Sequence, residues 1–147
     1  MKFSDIESSA WESLKPFLDT CLLPLTGLSG SEQPWEAVKE LERLRDFMDC
    51  IEVPYKGRIV TYPAIQYLAG PDFEGSVNAV CRKLREAGFR YVVVITANAL
   101  AGRGQYTEAD LLLCPHREDG TAMSLEQFGA HVHASVQAMW RPEKRES

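Results

Sequence analysis

The sequence predicts an α/β domain: a short, mostly parallel sheet of four strands with helices on both faces, in three layers. Three observations predict it. The runs at 21–25, 58–62, 89–95 and 110–114 are mostly apolar rather than alternating, as in strands covered on both sides. Segments with helical apolar spacing lie between most of these runs. Gly88 passes one such helix directly into the strongest run, the connection expected of half a right-handed βαβ unit.

Taken in order, a first helix is expected over residues 4–18, with Ser4 as its cap and Ala10, Trp11, Leu14 and Leu18 on one face. Pro16 should bend or restart it near Lys15. In the first strand, Pro24 either demotes the run towards a sheet edge or marks its end. Pro34 opens a long helix whose inner stripe reads Trp35, Val38, Leu41, Leu44 and Met48. Glu36, Lys39, Glu40, Glu42 and Arg43 cover its other side, most simply as a solvated face. Pro63 closes the second strand, and a loop is expected over 67–75. A helix from Ser76 carries Val77, Val80, Cys81 and Leu84 and stops at Gly88 in the left-handed conformation. The run 89–95 should be the central strand, and 96–107 a mobile, glycine-bearing loop. After the fourth strand, Ser124 caps a last helix bearing Leu125, Phe128, Val132, Val136 and Met139, stopped before Pro142. Trp11, Trp35 and Trp140 are expected to pack in the core, Trp140 also offering an anchor for a partner.

The 147 residues suit one domain over 1–142 with a charged tail at 143–147. A chain of this size buries about 68–70% of its unfolded surface, enough to fold without disulfide or metal. A net charge of −5 argues against a general nucleic-acid or anionic-membrane surface. No apolar stretch approaches the roughly 18 residues of a membrane span. Cys21, Cys50, Cys81 and Cys114 are widely spaced, and the first residues lack an apolar signal region. Reduced, buried thiols in a cytoplasmic protein are therefore expected.

In an open parallel sheet, ligands bind beyond the carboxyl ends of the strands. The loops there offer Thr26, Ser29, Ser31, Glu32, Asp72, Glu74, Thr96, Asn98, Arg103 and His116 as ligand-binding candidates. The same residue types also serve as turn and capping groups. His131 and His133 are two apart on a predicted helix and so do not face one ion. Cys114-Pro115-His116 sets a thiol and an imidazole at one strand end, with Cys114 expected to be a buried structural residue. Gly102-x-Gly104 lacks the third glycine and the immediate helix of a phosphate-binding fingerprint. No cofactor and no metal are expected.

Three stretches carry a resemblance to a known family: Lys2-Phe3-Ser4-Asp5-Ile6, Phe17 through Leu25, and Lys56-Gly57-Arg58-Ile59-Val60 leading to Pro63-Ala64 and Tyr67-Leu68. With Gly88-Phe89-Arg90-Tyr91-Val92 and a late tryptophan, they resemble the YpiF-like family of low-GC Gram-positive bacteria, which brings no activity or site residue with it. A more distant likeness is to creatininase-like amidohydrolases. It runs through Ser31-Glu32-Gln33, Tyr62 to Tyr67, Phe73-Glu74-Gly75-Ser76 and Leu84 to Arg90. Those enzymes hold two metals with a Glu-x-His-Gly segment and a histidine in an Asn-Gly-His-Gly-Gly-Asn loop. Here the corresponding segments read Glu32-Gln33-Pro34-Trp35 and Thr96-Ala97-Asn98-Ala99-Leu100, so only Glu32 matches a ligand. The resemblance implies a creatininase-like topology without its metals; a flavodoxin-like topology is the other that fits.

The leading expectation is a non-catalytic cytoplasmic protein that binds a partner protein or small ligand at the carboxyl edge of its sheet. The alternative is a degenerate creatininase-like hydrolase of amide bonds using Glu32, Asp72, Glu74, Asn98 and His116. That alternative requires those side chains to converge on one point. A structural subunit forming a homo-oligomer is the third reading.

Overall fold

Apolar residues that alternate between the two faces of a strand must be covered on both, and helices from the intervening segments supply the cover. A computed structural model describes residues 1–66 and 72–141. It contains α1 (Ser8–Leu14), β1 (Thr20–Leu25), α2 (Pro34–Glu52), β2 (Ile59–Thr61), α3 (Phe73–Glu86), β3 (Tyr91–Thr96), β4 (Leu111–Leu113) and α4 (Leu125–Trp140). Short 3₁₀ turns lie at Phe3–Asp5 and Ala101–Arg103.

The four strands form one all-parallel sheet in the order β2-β1-β3-β4. This is a three-layer α/β fold, and its order reproduces the first four strands of the flavodoxin-like arrangement. The chain steps one way from β1 to β2, then passes back over β1 to reach β3. Right-handed crossovers in opposite directions place their helices on opposite faces. Accordingly Phe73, Val77, Cys81 and Leu84 of α3 pack with Cys21, Leu23, Val92 and Val94. Across the sheet, Leu44, Phe47, Met48 and Ile51 of α2 and Phe128, Val132 and Val136 of α4 meet Leu22, Val93, Ile95 and Leu113.

Pro24 does not put β1 at an edge. β1 is internal, paired with β2 through Leu22 and with β3 through Leu25. In a parallel strand alternate residues direct their amide groups to opposite neighbours. Leu22 O accepts from Tyr62 N, and Pro24 O accepts from Ile65 N, so Pro24 faces the β2 side. Its missing N–H interrupts the pairing on the β2 side, which resumes at the Leu25–Ile65 bridge, and leaves the β1–β3 ladder whole. The β2 edge is itself partly covered, because Thr61 N donates to Met1 O at 2.7 Å and Lys2 bridges Thr61.

Other elements shift for physical reasons. Ser4 lies inside a 3₁₀ turn, and α1 begins only at Ser8 and ends before Lys15. The pairing of Lys2 with Thr61 and the edge contact of Phe3 with Tyr62 hold that first segment against β2. α3 begins at Phe73, three residues earlier than Ser76, because buried Phe73 docks edge-on against Tyr106. The expected 67–75 loop therefore shrinks; its 67–71 portion, with Tyr67, and the tail from Pro142 lie outside the described residues. The 96–107 segment is a packed crossover, with Ala101 and Tyr106 buried and the Tyr106 hydroxyl donating to Ala101 O at 2.6 Å. Gly88 adopts the expected left-handed conformation, with φ of 118°. Ser124 caps α4 as expected, and Gln127 returns the bond to the Ser124 amide.

The largest correction concerns Trp35, which is 70% exposed, with Val38 and Leu41 exposed beside it. Steps of three residues turn a helix by about 300°, so an uninterrupted i, i+3 series walks off the buried face. α2 buries only Leu44, Phe47, Met48 and Ile51.

The amino edge of the sheet is tied by one cluster. Asp19 accepts from Arg58 Nε at 2.9 Å and from Nη2 at 3.1 Å. The guanidinium lies 4.1 Å from the Trp140 ring centroid, and Trp140 Nε1 donates to Thr20 Oγ1 at 2.9 Å. Asp19 O accepts from both Arg90 N and Tyr91 N. One ion pair thus joins the starts of β1, β2 and β3 to the end of α4. Arg58→Ala removes the salt bridge and the stacked cation together. It is expected to lower stability by about 2 kcal/mol, read as a reduced urea midpoint with unchanged slope. An unchanged midpoint contradicts the keystone role of the pair.

Candidate functional site

Strand order reverses between β1 and β3, and the loops that leave their carboxyl ends diverge. Each begins with a buried threonine. Thr26 Oγ1 accepts from Leu28 N at 3.4 Å, and Thr96 Oγ1 accepts from Asn98 N at 3.1 Å. These local turns splay the two loops apart and leave a crevice of about 610 Å³ against α2.

Gly27 and Asn98 form its floor. A Cβ at Gly27 would stand 2.9 Å from Asn98 Nδ2 and 3.4 Å from a Glu40 carboxylate oxygen. Asn98 Oδ1 accepts from Ala101 N at 2.8 Å, which fixes the amide and turns Nδ2 towards Gly27. Along α2, Glu36, Lys39, Glu40 and Arg43 line the wall. Their spacing of three, four and seven residues puts them on one side of the helix. Lys39 and Glu40 make no ion pair among the described residues. Arg43 Nη2 lies 3.0 Å from His116 Nε2, which also lies 3.0 Å from Ala97 O. One ring nitrogen either accepts from Arg43 or donates to Ala97, so the imidazole links helix and loop through alternative bonds.

The predicted residues divide. Glu32, Asn98 and His116 line the crevice, with Thr96 buried beneath and Ser31 in the adjoining loop, 2.9 Å from Ser29 Oγ. Arg103 and His116 line a neighbouring cavity of about 340 Å³. Asp72 and Glu74 do not join them. Asp72 precedes α3 on the opposite face, and the Glu74 carboxylate accepts from Gln105 N, clamping the crossover. Asn78 holds the same segment through Gln105 O and Glu108 N.

Glu32 is engaged by its own loop. Its carboxylate accepts from Ser29 N at 2.8 Å, Ser29 Oγ at 3.0 Å and Gly30 N at 3.0 Å. The Ser29 amide, foremost among these donors, holds the carboxyl below its usual range. Among the described residues no three His, Cys, Asp or Glu side chains are grouped as a metal ion requires. His133 is committed to Tyr55, its Nδ1 2.8 Å from the phenol oxygen, and His131 packs against Phe128.

All four cysteines are free thiols, Cys21 and Cys81 buried and Cys50 and Cys114 half-buried. Burial pushes Cys21 up to about 12 and Cys81 to about 11, and it raises Cys114 as well. Cys114 is thus held as a thiol, packed under Gly102, where a Cβ would collide with its sulfur. That environment disfavours the thiolate a nucleophile needs.

Sequence reasoning missed Gly27, Trp35, Lys39, Glu40 and Arg43. The available signal was the one-sided spacing of the α2 charges, combined with the position of α2 immediately after a strand in a parallel sheet.

A family model described as protein of unknown function (DUF2487) matches residues 9–136, from α1 to the last turns of α4. The chain belongs to this family. Every wall of the crevice lies inside the DUF2487 match, which does not extend to the YpiF-like naming or the creatininase-like relation. No curated protein and no solved structure matches the chain.

The lowered Glu32 value sets a pH dependence. A carboxyl held low in the folded state contributes its loop bonds fully above its unfolded value, and these bonds are lost as pH falls through the folded one. The Ser29 and Gly30 amide resonances are expected to titrate with a midpoint below the ordinary glutamate value of about 4.3. Glu32→Gln abolishes that titration. A midpoint at or above the ordinary value contradicts the loop assignment.

Proposed function

We propose that this DUF2487 chain is a non-catalytic binding protein whose ligand, a small polar molecule, sits in the crevice between the carboxyl ends of β1 and β3. One observation carries the reading. At the point where strand order reverses, Lys39, Glu40 and Asn98 Nδ2 face a shared concavity without partners among the described residues. Groups of both signs suit a ligand bearing an anionic part and hydroxyl or amino donors. Free thiols favour a cytoplasmic setting, and the YpiF-like affiliation belongs to the same proposal.

The hydrolase alternative is disfavoured because the carboxylates it needs are spent elsewhere, Glu32 on its loop and Glu74 on Gln105. A second binding reading has an observation of its own. Trp35, Val38 and Leu41 form an exposed apolar strip along α2, which suits contact with a partner protein.

Thermal unfolding against a library of small polar metabolites tests the proposal, with Gly27→Leu as the occluded control. A true ligand at about 100 times its Kd adds about 2.7 kcal/mol and raises Tm by several degrees in the wild type but not in Gly27→Leu. Equal shifts in both proteins, or shifts abolished only by Val38→Ser and Leu41→Ser together, overturn it.

A further inference from the structure

The arginines fall into two groups. Arg45, Arg58, Arg82 and Arg85 each contact a carboxylate. Arg43, Arg90, Arg103, Arg117 and Arg141 make no ion pair among the described residues, although the chain as a whole carries a charge of −5. Arg43, Arg103 and Arg117 meet around His116. Arg43 reaches it from the crevice, and Arg103 and Arg117 line the neighbouring cavity of about 340 Å³ with it. The two spaces share Ala99 and His116 as a common wall.

The second cavity is shaped by two backbone devices. Gly102 lies so close to Cys114 that no side chain fits between them, which sets the 3₁₀ turn carrying Arg103 directly against the end of β4. Beyond β4 the chain forms a tight hairpin. Arg117 N donates to Thr121 O at 2.8 Å, Gly120 N donates to Arg117 O at 3.0 Å, and His116 pairs with Ala122. Gly120, at φ of 90°, supplies the left-handed residue that such a three-residue loop requires. Arg117 Nη1 donates to Thr121 Oγ1 at 3.1 Å, which anchors the guanidinium and leaves its other donors unbonded among the described residues. Among the described residues Glu118 is the one carboxylate on the lining, and it makes no ion pair there.

We propose that this cavity is an oxyanion seat, in which Arg103 and Arg117 hold a phosphoryl or carboxylate group. The molecule bearing that group continues past His116 into the crevice, a continuation that rests on the reading above, whereas the anion seat stands on its own arginines. Planar guanidinium groups with several donors match the oxygens of such a group. The ligand class is then a small organic oxyanion whose body carries hydroxyl or amino donors towards Glu40.

The test is an amide-resolved NMR titration of the whole protein with inorganic phosphate, and separately with acetate, at ionic strength held constant with chloride. Saturable shifts at Gly102, Arg103 and 117–120, weakened at least tenfold in Arg103→Gln/Arg117→Gln, are expected for the preferred anion. Saturation by phosphate alone assigns a phosphoryl group, and saturation by acetate alone assigns a carboxylate. Arg45→Gln/Arg90→Gln serves as a charge-matched control and leaves binding intact, and the dispersed spectrum of each variant reports its fold. Non-saturating shifts, shifts unchanged in the double variant, or shifts centred on Gly27 and Lys39 overturn the seat. Gly27→Leu leaves phosphate or acetate binding intact, so loss of the crevice reading and loss of the anion seat are separate results.

Discussion

The handedness of two crossovers governs the rest of the molecule. The chain leaves β1 in one direction to make β2 and returns past it to make β3, so α2 and α3 are forced to opposite faces of the sheet. The loops that follow β1 and β3 then diverge, and a crevice opens between them without any special sequence to create it. Sequence decides what lines it. Gly27 keeps the floor low, Asn98 is fixed by its bond to Ala101 N, and the first half of α2 supplies charge of both signs.

The two ends of the sheet are built in opposite ways. At the amino edge each side chain of the Asp19–Arg58–Trp140–Thr20 cluster is hydrogen-bonded to another, and the cluster spans three strands and the last helix. At the carboxyl edge Lys39, Glu40, Arg103 and the Asn98 amide nitrogen face open space. A rigid base of this kind holds the strand ends in register, so the polar groups above it keep fixed spacing. That division between a saturated edge and an unsaturated one is what a preformed binding site requires.

Much of the fold was legible because unbroken β-branched runs and a glycine after a helix have few other uses. Tyr91–Thr96 and Gly88 illustrate both. Pro24 misled because sequence does not reveal which neighbour a given amide faces, and Pro24 faces the β2 side, where the pairing is interrupted. Trp35 misled because steps of three drift around a helix, and only the tertiary contact of α2 shows where the stripe leaves the core. The site was half legible. Glu32, Asn98 and His116 share the crevice as strand-end residues should, whereas Asp72 and Glu74 follow the opposite crossover and serve its packing. The α2 charges were hidden by resembling an ordinary solvated face.

A crystal structure with the tightest small-molecule binder tests the crevice assignment most directly. Density lying over the floor formed by Gly27 and Asn98 and touching Lys39 or Glu40 is the expected result. Density instead in the hollow beside Phe3, Ile6 and Trp11, on the face away from α2, contradicts it.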